Sequence, residues 1–311
     1  MGINYKKIFK NPESRIKIMQ FLSFIPDKPM LKIQYWIKTG RRLNLKNPKR
    51  YSEKIQLYKL IYKNPIMKQC VDKYEVRKYV TAQGCGEFLN ELYGVYDSVK
   101  EIDFDQLPNQ FVLKDTLGGG DASMIIVLDK SKLDMKKAKE KMNKWIHTSI
   151  NTKSPGREWV YDGVKHRIIA EKLLIADENG DLPDYKFFCF DGKVFCSYVM
   201  ENYTLHHEDG VLGFFDRDFN LIDVKRKDFK RMIKAPQKPK NYEKMVTIAE
   251  ILSNSFPHVR VDFYNVNGKI IFGELTFFNA SGYVEFEPDQ YDFEMGKKFK
   301  VVSFEESEKK R

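Results

Sequence analysis

The sequence predicts an α+β chain with a basic helical arm ahead of its main body. Three observations carry this reading. Near the C-terminus, residues 256–282 read FPHVRVDFYNVNGKIIFGELTFFNASG, two alternating apolar strands joined at Val266-Asn267-Gly268. A second hairpin, Tyr185–Phe190 and Lys193–Val199, turns at Asp191-Gly192, the strongest turn signal in the chain. Helical segments stand between and before the strands without internal repeats, and 311 residues suffice for one large domain or two to three lobes.

The arm comes first. Residues 1–50 hold thirteen Lys/Arg against Glu13 and Asp27, a net of +11 equal to that of the whole chain, so residues 51–311 balance. Ile8, Phe9, Ile16, Phe21, Leu22, Phe24, Ile33, Tyr35 and Trp36 run through this charge. Such a mixture suits either an arm lying on anionic lipid headgroups or a helical arm packed on its own protein. Nucleic acid is the rival partner for the charge, but no binding motif accompanies it, and none is expected. Four cysteines without a CxxC pair or zinc spacing fit a reducing compartment. With no apolar run long enough for a membrane span and no signal peptide, the expected location is cytoplasmic, peripheral at the inner membrane face if the arm binds lipid.

From Tyr51 the pattern becomes helical, with Ser52 as the expected cap and Ile55, Tyr58 and Ile61/Tyr62 on one face. A second helix is expected from Ile66 to Ala82, carrying Asp72, Lys73, Arg77 and Lys78, then a short strand over Leu89–Tyr96. Residues 111–128 read strand, Gly118-Gly119-Gly120 turn, strand. Backbone N–H groups of such a turn can converge on an anion, with Lys114 as a point charge beside it. No GK[ST] follows, so it is not a Walker A loop. A helix from Leu133 to about Ile150 leads to the apolar strand Arg167–Glu171, followed by Lys172 and the acidic loop Ala176–Asp184. His206-His207-Glu208-Asp209 reads as a solvated loop, because adjacent residues on an extended segment point apart. The charged end, EESEKKR, is expected to fray.

The terminal hairpin raises a question of charge. Arg260 and Asp262 share the polar face of the first strand, and Glu274 interrupts the second. Either arginines and lysines answer these carboxylates in a salt-bridged face, or the carboxylates hold a metal ion. A two-residue Asn-Gly turn would put Asp262 and Glu274 on opposite faces. A three-residue loop pairing Arg260 with Glu274, or a bulge of the same parity, would unite them and suit magnesium, which binds through one or two carboxylates plus phosphates.

A lysine with a glycine-rich loop, a Glu-Lys-x-Leu strand end and an Arg-x-Asp…Glu hairpin, in that order, resemble the ATP-grasp superfamily. NPKRYSEKIQLYKLIYKNP, VDKYEVRKYV, GVYDSVKEIDFDQLPNQFVLK, REWVYDGVKHRIIAEKLL, DLPDYKFFCFDGK and FPHVRVDFYNVNGKIIFGELTF resemble its TupA-like branch, of teichuronopeptide and bacterial surface-polysaccharide biosynthesis. The resemblance implies two α+β lobes clamping ATP. It divides the chain into a basic arm (1–50), a region preceding the nucleotide lobe (51–109), a nucleotide lobe (110–175), a lobe with the metal site (176–302) and a charged tail (303–311). By the resemblance, Lys114 and Lys172 contact nucleotide phosphates beside Gly118, Gly119 and Gly120. Glu171–Leu174 forms the hinge at adenine, and Glu178 reaches the ribose. Asp262, Glu274 and Asn279 hold Mg2+, and Arg260 and Lys186 serve the transferring phosphoryl group. Two departures stand out: Glu274-Leu275-Thr276 replaces the frequent Glu-x-Asn, and Asp115 and Asp121 bring acids to a loop usually reading Cys-Asn-His-Gly-Ser-Gly.

The implied activity is ATP- and Mg2+-dependent carboxylate–amine ligation, joining an amino acid or amino sugar to a polysaccharide or lipid-linked glycan precursor. A phosphotransferase on the same fold, or an inactive glycan-binding relative, are the alternatives. Substrate loops are expected at Tyr203–Phe215 and Asn279–Glu287.

Overall fold

The structure, a computed structural model, describes residues 21–148, 153–175, 182–202 and 210–309. Residues 1–20, Glu178 and His206–Asp209 lie outside them.

The strands, in chain order, are β1 (Leu92–Tyr96), β2 (Phe111–Asp115), β3 (Met124–Val127), β4 (Ile168–Glu171), β5 (Asp184–Phe190), β6 (Lys193–Glu201), β7 (Val211–Asp216), β8 (Leu221–Ile222), β9 (Lys225–Arg226), β10 (Lys230–Arg231), β11 (His258–Val266), β12 (Lys269–Thr276) and β13 (Phe286–Glu287). They form two principal sheets. The first is antiparallel, ordered β1-β4-β2-β3. The Met135–Ile146 helix covers it with Ala138, Met142 and Trp145, spaced i, i+4, i+7, against Phe111, Leu113, Ile168 and Ala170. The second sheet is ordered β10-β7-β6-β5-β11-β12, with β8 paired to β7. The Tyr242–Ser253 helix packs over it. Phe215 therefore lies buried inside β7 and not in a loop, because Leu212, Phe214 and Phe215 join the large core.

The arm's described part belongs to the body. The Asp27–Thr39 helix buries Leu31 and Tyr35 beside Leu43, Leu60 and Tyr283, and Tyr35 hydrogen-bonds Ser52 at 2.8 Å. Arg41 and Arg50 both reach Asp289, at 2.6 and 2.7 Å. Ser52 is not a cap. The helix starts at Tyr51, Glu53 Oε2 accepts the Lys49 and Arg50 N–H groups, and the Ser52 hydroxyl donates to Asp292. Tyr51 and Tyr58 then dock this helix on β11, at the His258 ring (2.9 Å) and carbonyl (3.2 Å). The expected helix over 66–82 is two helices, Ile66–Val71 and Val76–Ala82, because Asp72 Oδ1 accepts Tyr74 and Glu75 N–H and restarts the winding. The charged tail begins packed: Phe304 lies edge-on to Tyr62, at 5.7 Å between ring centres.

The Asp191-Gly192 turn forms as read, with φ of 47° and 72° at its two residues and Phe190 paired with Lys193. The terminal hairpin differs in register. Val266 pairs with Lys269 across a two-residue turn with positive φ at Asn267 and Gly268, and Arg260 faces Thr276 instead of Glu274. The parity change comes from a bulge between Val261 and Phe263, where Asp262 lies opposite Gly273 and Glu274. Gly273 makes this approach feasible, since a Cβ there would stand 3.1 Å from the Asp262 carbonyl.

Candidate functional site

A cavity of about 650 Å3 lies between the two sheets. Val76, Val112, Leu173, Leu174, Ile271 and Phe272 supply apolar wall, and Lys73, Lys114, Lys172, Lys186, Glu171, Asp184, Asp262 and Glu274 supply charge. Gly118, Gly119 and Gly120 edge it from the β2–β3 turn.

On the first sheet, Lys114 and Glu171 sit diagonally across the β2–β4 ladder and pair at 2.8 Å, and Arg77 reaches Glu171 at 3.5 Å from the other side. Lys172 leaves the strand end towards Glu91, 3.2 Å away, with both side chains more than half exposed. The glycine turn is sterically required: a Cβ on Gly118 would run into Ser123 and Asp115, and Gly120 has φ 70°. Asp115 turns its charge away from the cavity. His166 Nδ1 lies 2.8 and 2.9 Å from its two oxygens, and Leu117 N–H donates to one of them. Asp121 remains on the cavity edge, where Lys141 donates to its backbone carbonyl.

On the second sheet, the β11–β12 bulge brings Asp262 and Glu274 to one face. Arg260 holds Asp262 through two hydrogen bonds (2.7 and 2.6 Å) and reaches Glu274 Oε1 at 3.0 Å, Thr276 at 3.0 Å and Asn279 Oδ1 at 2.6 Å. Lys186, paired across the ladder with Asp262, donates to it at 2.7 Å and also meets Asp184. Burial raises the Asp184 carboxyl to about 6, with Lys186 opposing and Asp262 reinforcing the shift. Burial would raise Glu274 too, but the Arg260 guanidinium, helped by Lys186 and Lys73, holds it near 2. Lys186 loses to burial but gains more from Asp184 and Asp262, so it remains an ammonium.

The carboxylates are thus answered by cations, as one sequence-based alternative required. Among the described residues no three His, Cys, Asp or Glu side chains are arranged to hold a metal. Magnesium does not need three; it takes one or two carboxylates with phosphates and water. Glu274 fits that use: its side chain is 44% exposed, it faces the cavity, and its hydrogen bonds fall on Oε1 alone. Asp262, 2% exposed, has both oxygens engaged by Arg260 and Lys186, and Asn279 Oδ1 is engaged by Arg260.

The profile of the TupA-like ATPgrasp family matches residues 53–300. The chain belongs to the TupA-like ATP-grasp family. Its fold is accordingly ATP-grasp. No curated protein matches the sequence. Solved structures with which it shares partial likeness include D-alanine–D-alanine ligases from Bacillus anthracis (17% identity, TM-score 0.41, 67% of this chain and 57% of that one) and Helicobacter pylori (13%, 0.39, 74% and 61%). An ADP complex of N5-carboxyaminoimidazole ribonucleotide synthetase gives 14% identity and TM-score 0.40 over 67% of this chain and 45% of that one. The chain spans little more than half the length of the ligases it matches. No helix among the described residues is long and apolar enough to cross a membrane.

Two cavity-facing groups, Asp184 and Lys73, and one buried behind them, Tyr198, escaped sequence reasoning. Asp184 stands two residues before Lys186 and hence on the same strand face, a spacing that could have revealed it. Tyr198 hydrogen-bonds Arg260 at 3.3 Å from β6, and Lys73 arrives from the helix break; neither contact leaves a local signal.

Proposed function

We propose that this protein is an ATP- and Mg2+-dependent carboxylate–amine ligase acting on a glycan or uronic-acid precursor of a bacterial surface polysaccharide. The observation that carries the reading is the cavity itself. It sets Lys114, Lys172 and the glycine turn of one sheet opposite Glu274, Lys186 and Asp262 of the other, with apolar walls between. Leu173 and Leu174 and the backbone after β4 would hold the base, and Lys114 and Lys172 the phosphates. Glu274 is the residue that best fits magnesium; Asp262 would join it only by releasing one oxygen from Arg260 or Lys186. When bound, the ion would neutralise phosphate charge during transfer.

This chain's own contribution is positioning and electrostatics. Lys186, on the cavity wall and held by Asp184 and Asp262, is a fixed cation where a phosphoryl group would move from ATP to a substrate carboxylate oxygen, and Arg260, behind the wall, holds Asp262 and Glu274 in place. ADP leaves as an acylphosphate forms. An amine then attacks the acyl carbon, phosphate departs, the nitrogen loses its proton, and an amide results. A reaction that stops at a phosphorylated product would make the protein a phosphotransferase.

The experiment is ADP release assayed with a glucuronate-bearing acceptor, an amino acid or amino sugar, or both. Release requiring both supports ligation. Release with a hydroxyl acceptor alone identifies the kinase, and no ATP binding leaves the inactive glycan-binding reading.

The membrane is part of the same proposal. Phe21 and Phe24 are about three-quarters exposed, and Ile33 and Trp36 stand out from the Asp27–Thr39 helix beside Lys28 and Lys32. Together with the +11 charge of residues 1–50, this suits anionic headgroups carrying a lipid-linked precursor. Vesicles containing phosphatidylglycerol should bind the full chain with strong salt dependence, and Phe24→Ser/Trp36→Ser should reduce binding several-fold. Equal binding to neutral vesicles would remove the membrane from the proposal.

A further inference from the structure

The segment between the Met135–Ile146 helix and β4 carries polar groups to which the scheme above gives no role. Its turn Glu158-Trp159-Val160-Tyr161 is flanked by four anchoring hydrogen bonds. The Gly156 carbonyl accepts from Lys59 at 2.8 Å, and the Pro155 carbonyl accepts from Gln34 of the arm at 2.8 Å. Arg157, with φ 55°, donates to the Leu22 carbonyl at 2.8 Å, and Lys68 donates to the Asp162 carbonyl at 2.6 Å. Gly156 is required here, since a Cβ would run into Ser281 Oγ and Glu158 Oε1. The turn therefore stands against residues 279–282, whose Asn279 holds Arg260 at 2.6 Å.

Firmly anchored, the turn still leaves its own side chains without partners. Among the described residues Glu158, half-buried, makes no ion pair and no side-chain hydrogen bond. The half-buried Tyr161 hydroxyl has no hydrogen-bond partner among them either, and the indole N–H of Trp159 is buried without an acceptor. Burial raises the Tyr161 hydroxyl well above its ordinary value; Glu158 and Glu274 reinforce the shift and Arg260 opposes it. Tyr161 thus lies in the field of both carboxylates, yet neither it nor Glu158 lines the nucleotide cavity. Lys59 feels the Glu158 charge too, but it directs its protons at Gly156, Ser281 and Gln56 and makes no ion pair with Glu158. A carboxylate and a hydroxyl withdrawn from water without partners are costly unless a ligand answers them.

We propose that Glu158 and Tyr161 form the site of the amine substrate, beside Glu274 and outside the nucleotide cavity. The amine arrives as an ammonium, pairs with Glu158 and donates a hydrogen bond to the Tyr161 oxygen. Its first proton passes to the Glu158 carboxylate, which frees the nitrogen lone pair. The nitrogen attacks the acyl carbon of the acylphosphate; the C–N bond forms and the C–O bond to phosphate breaks. The second proton leaves with the phosphate. An anionic site next to a cavity lined by lysines sorts the two charged substrates by sign, phosphate to one and ammonium to the other. The proposal rests on the ligase reading above and adds the position of the amine and the acceptor of its proton.

The test compares two nucleophiles on the full chain with ATP, magnesium and a glucuronate-bearing acceptor. One is the amino acid or amino sugar that supports ADP release in the assay above. The other is hydroxylamine, which is uncharged at neutral pH, needs no anionic site and yields a hydroxamate. Glu158→Gln should raise KM for the amine at least about tenfold, the worth of one charge-assisted hydrogen bond, and form hydroxamate within about twofold of the wild-type rate. Tyr161→Phe, which leaves every charge in place, should raise the same KM about threefold and also spare hydroxamate formation. Equal loss with both nucleophiles in the two variants would overturn the proposal, leaving Glu158 as a distant counter-charge for Lys59. Unchanged kinetics with both would overturn it as well, while leaving the ligase reading intact. Wild type that shows no amine-dependent ADP release would overturn that reading, and this proposal with it.

Discussion

Glu274→Gln is expected to fold as wild type does and to lose ATP turnover at least about a hundredfold. Glu274 has one oxygen inside the protein network and one outside it. Oε1 accepts from Arg260 and Thr276, both at 3.0 Å, and a glutamine amide oxygen can accept both. Asp262 keeps Arg260 neutralised through two further hydrogen bonds, so removing the Glu274 charge leaves no uncompensated buried cation. Glu274 is also 44% exposed to the cavity, which keeps its contribution to stability small. What disappears is the anionic oxygen available to magnesium, and the variant preserves the shape of the site. Turnover is read as ADP released per enzyme, and folding by near-ultraviolet circular dichroism and the melting curve. Glu274→Gln that turns over ATP at the wild-type rate would remove Glu274 from the chemistry.

Most of the fold was legible because its signals are local. The Asp191-Gly192 turn needs positive φ at both residues, and Asp-Gly tolerates it, so turn and register followed from the dipeptide. Strand alternation placed β11 and β12, and a lysine, a glycine turn and a Glu-Lys strand end, read in order, placed the cavity's first wall. The terminal register differs from the three-residue-loop pairing by one residue at the turn and by two at Arg260, while the alternative of a bulge with the same parity holds. Placing Asp262 and Glu274 on one face demanded an irregularity between them, and the turn was one place for it. The chain places it in mid-ladder, where Gly273 lets two residues oppose one. A glycine inside a strand is the signal for that device, and it was in view.

The charge network was legible only as a choice. Sequence required Arg260, Asp262 and Glu274 either to neutralise one another or to hold a metal. The structure engages Asp262 fully and Glu274 in part, dividing the two uses between two carboxylates. Lys73 could not be found this way. Its chain neighbours suggest an ordinary helical surface, and only the Asp72 cap, which breaks the helix, turns it to the glycine turn some 45 residues later in the chain.

Asp262→Asn is expected to show the opposite phenotype to Glu274→Gln, losing stability first. Asp262 is 2% exposed and neutralises two buried cations, Arg260 at 2.6 and 2.7 Å and Lys186 at 2.7 Å. Asparagine occupies the same volume, but its amide nitrogen confronts donors and its charge is gone. Asp184 can still answer Lys186, yet Arg260 is left with the partly exposed Glu274 and the neutral Asn279 and Thr276. Breaking a buried pair from one side costs about 3–5 kcal/mol, because the remaining charge stays desolvated. In a chain of this size that corresponds to a melting temperature lower by on the order of 10 °C. Removing the arginine as well should recover part of the loss. In a cycle of Asp262→Asn, Arg260→Gln and the double variant, the two sites should couple by at least about 2 kcal/mol, since they share hydrogen bonds and burial. Additive losses would mean that each residue is held by its other neighbours, and that the Arg260–Asp262 pair is not the support on which the second sheet's polar face depends.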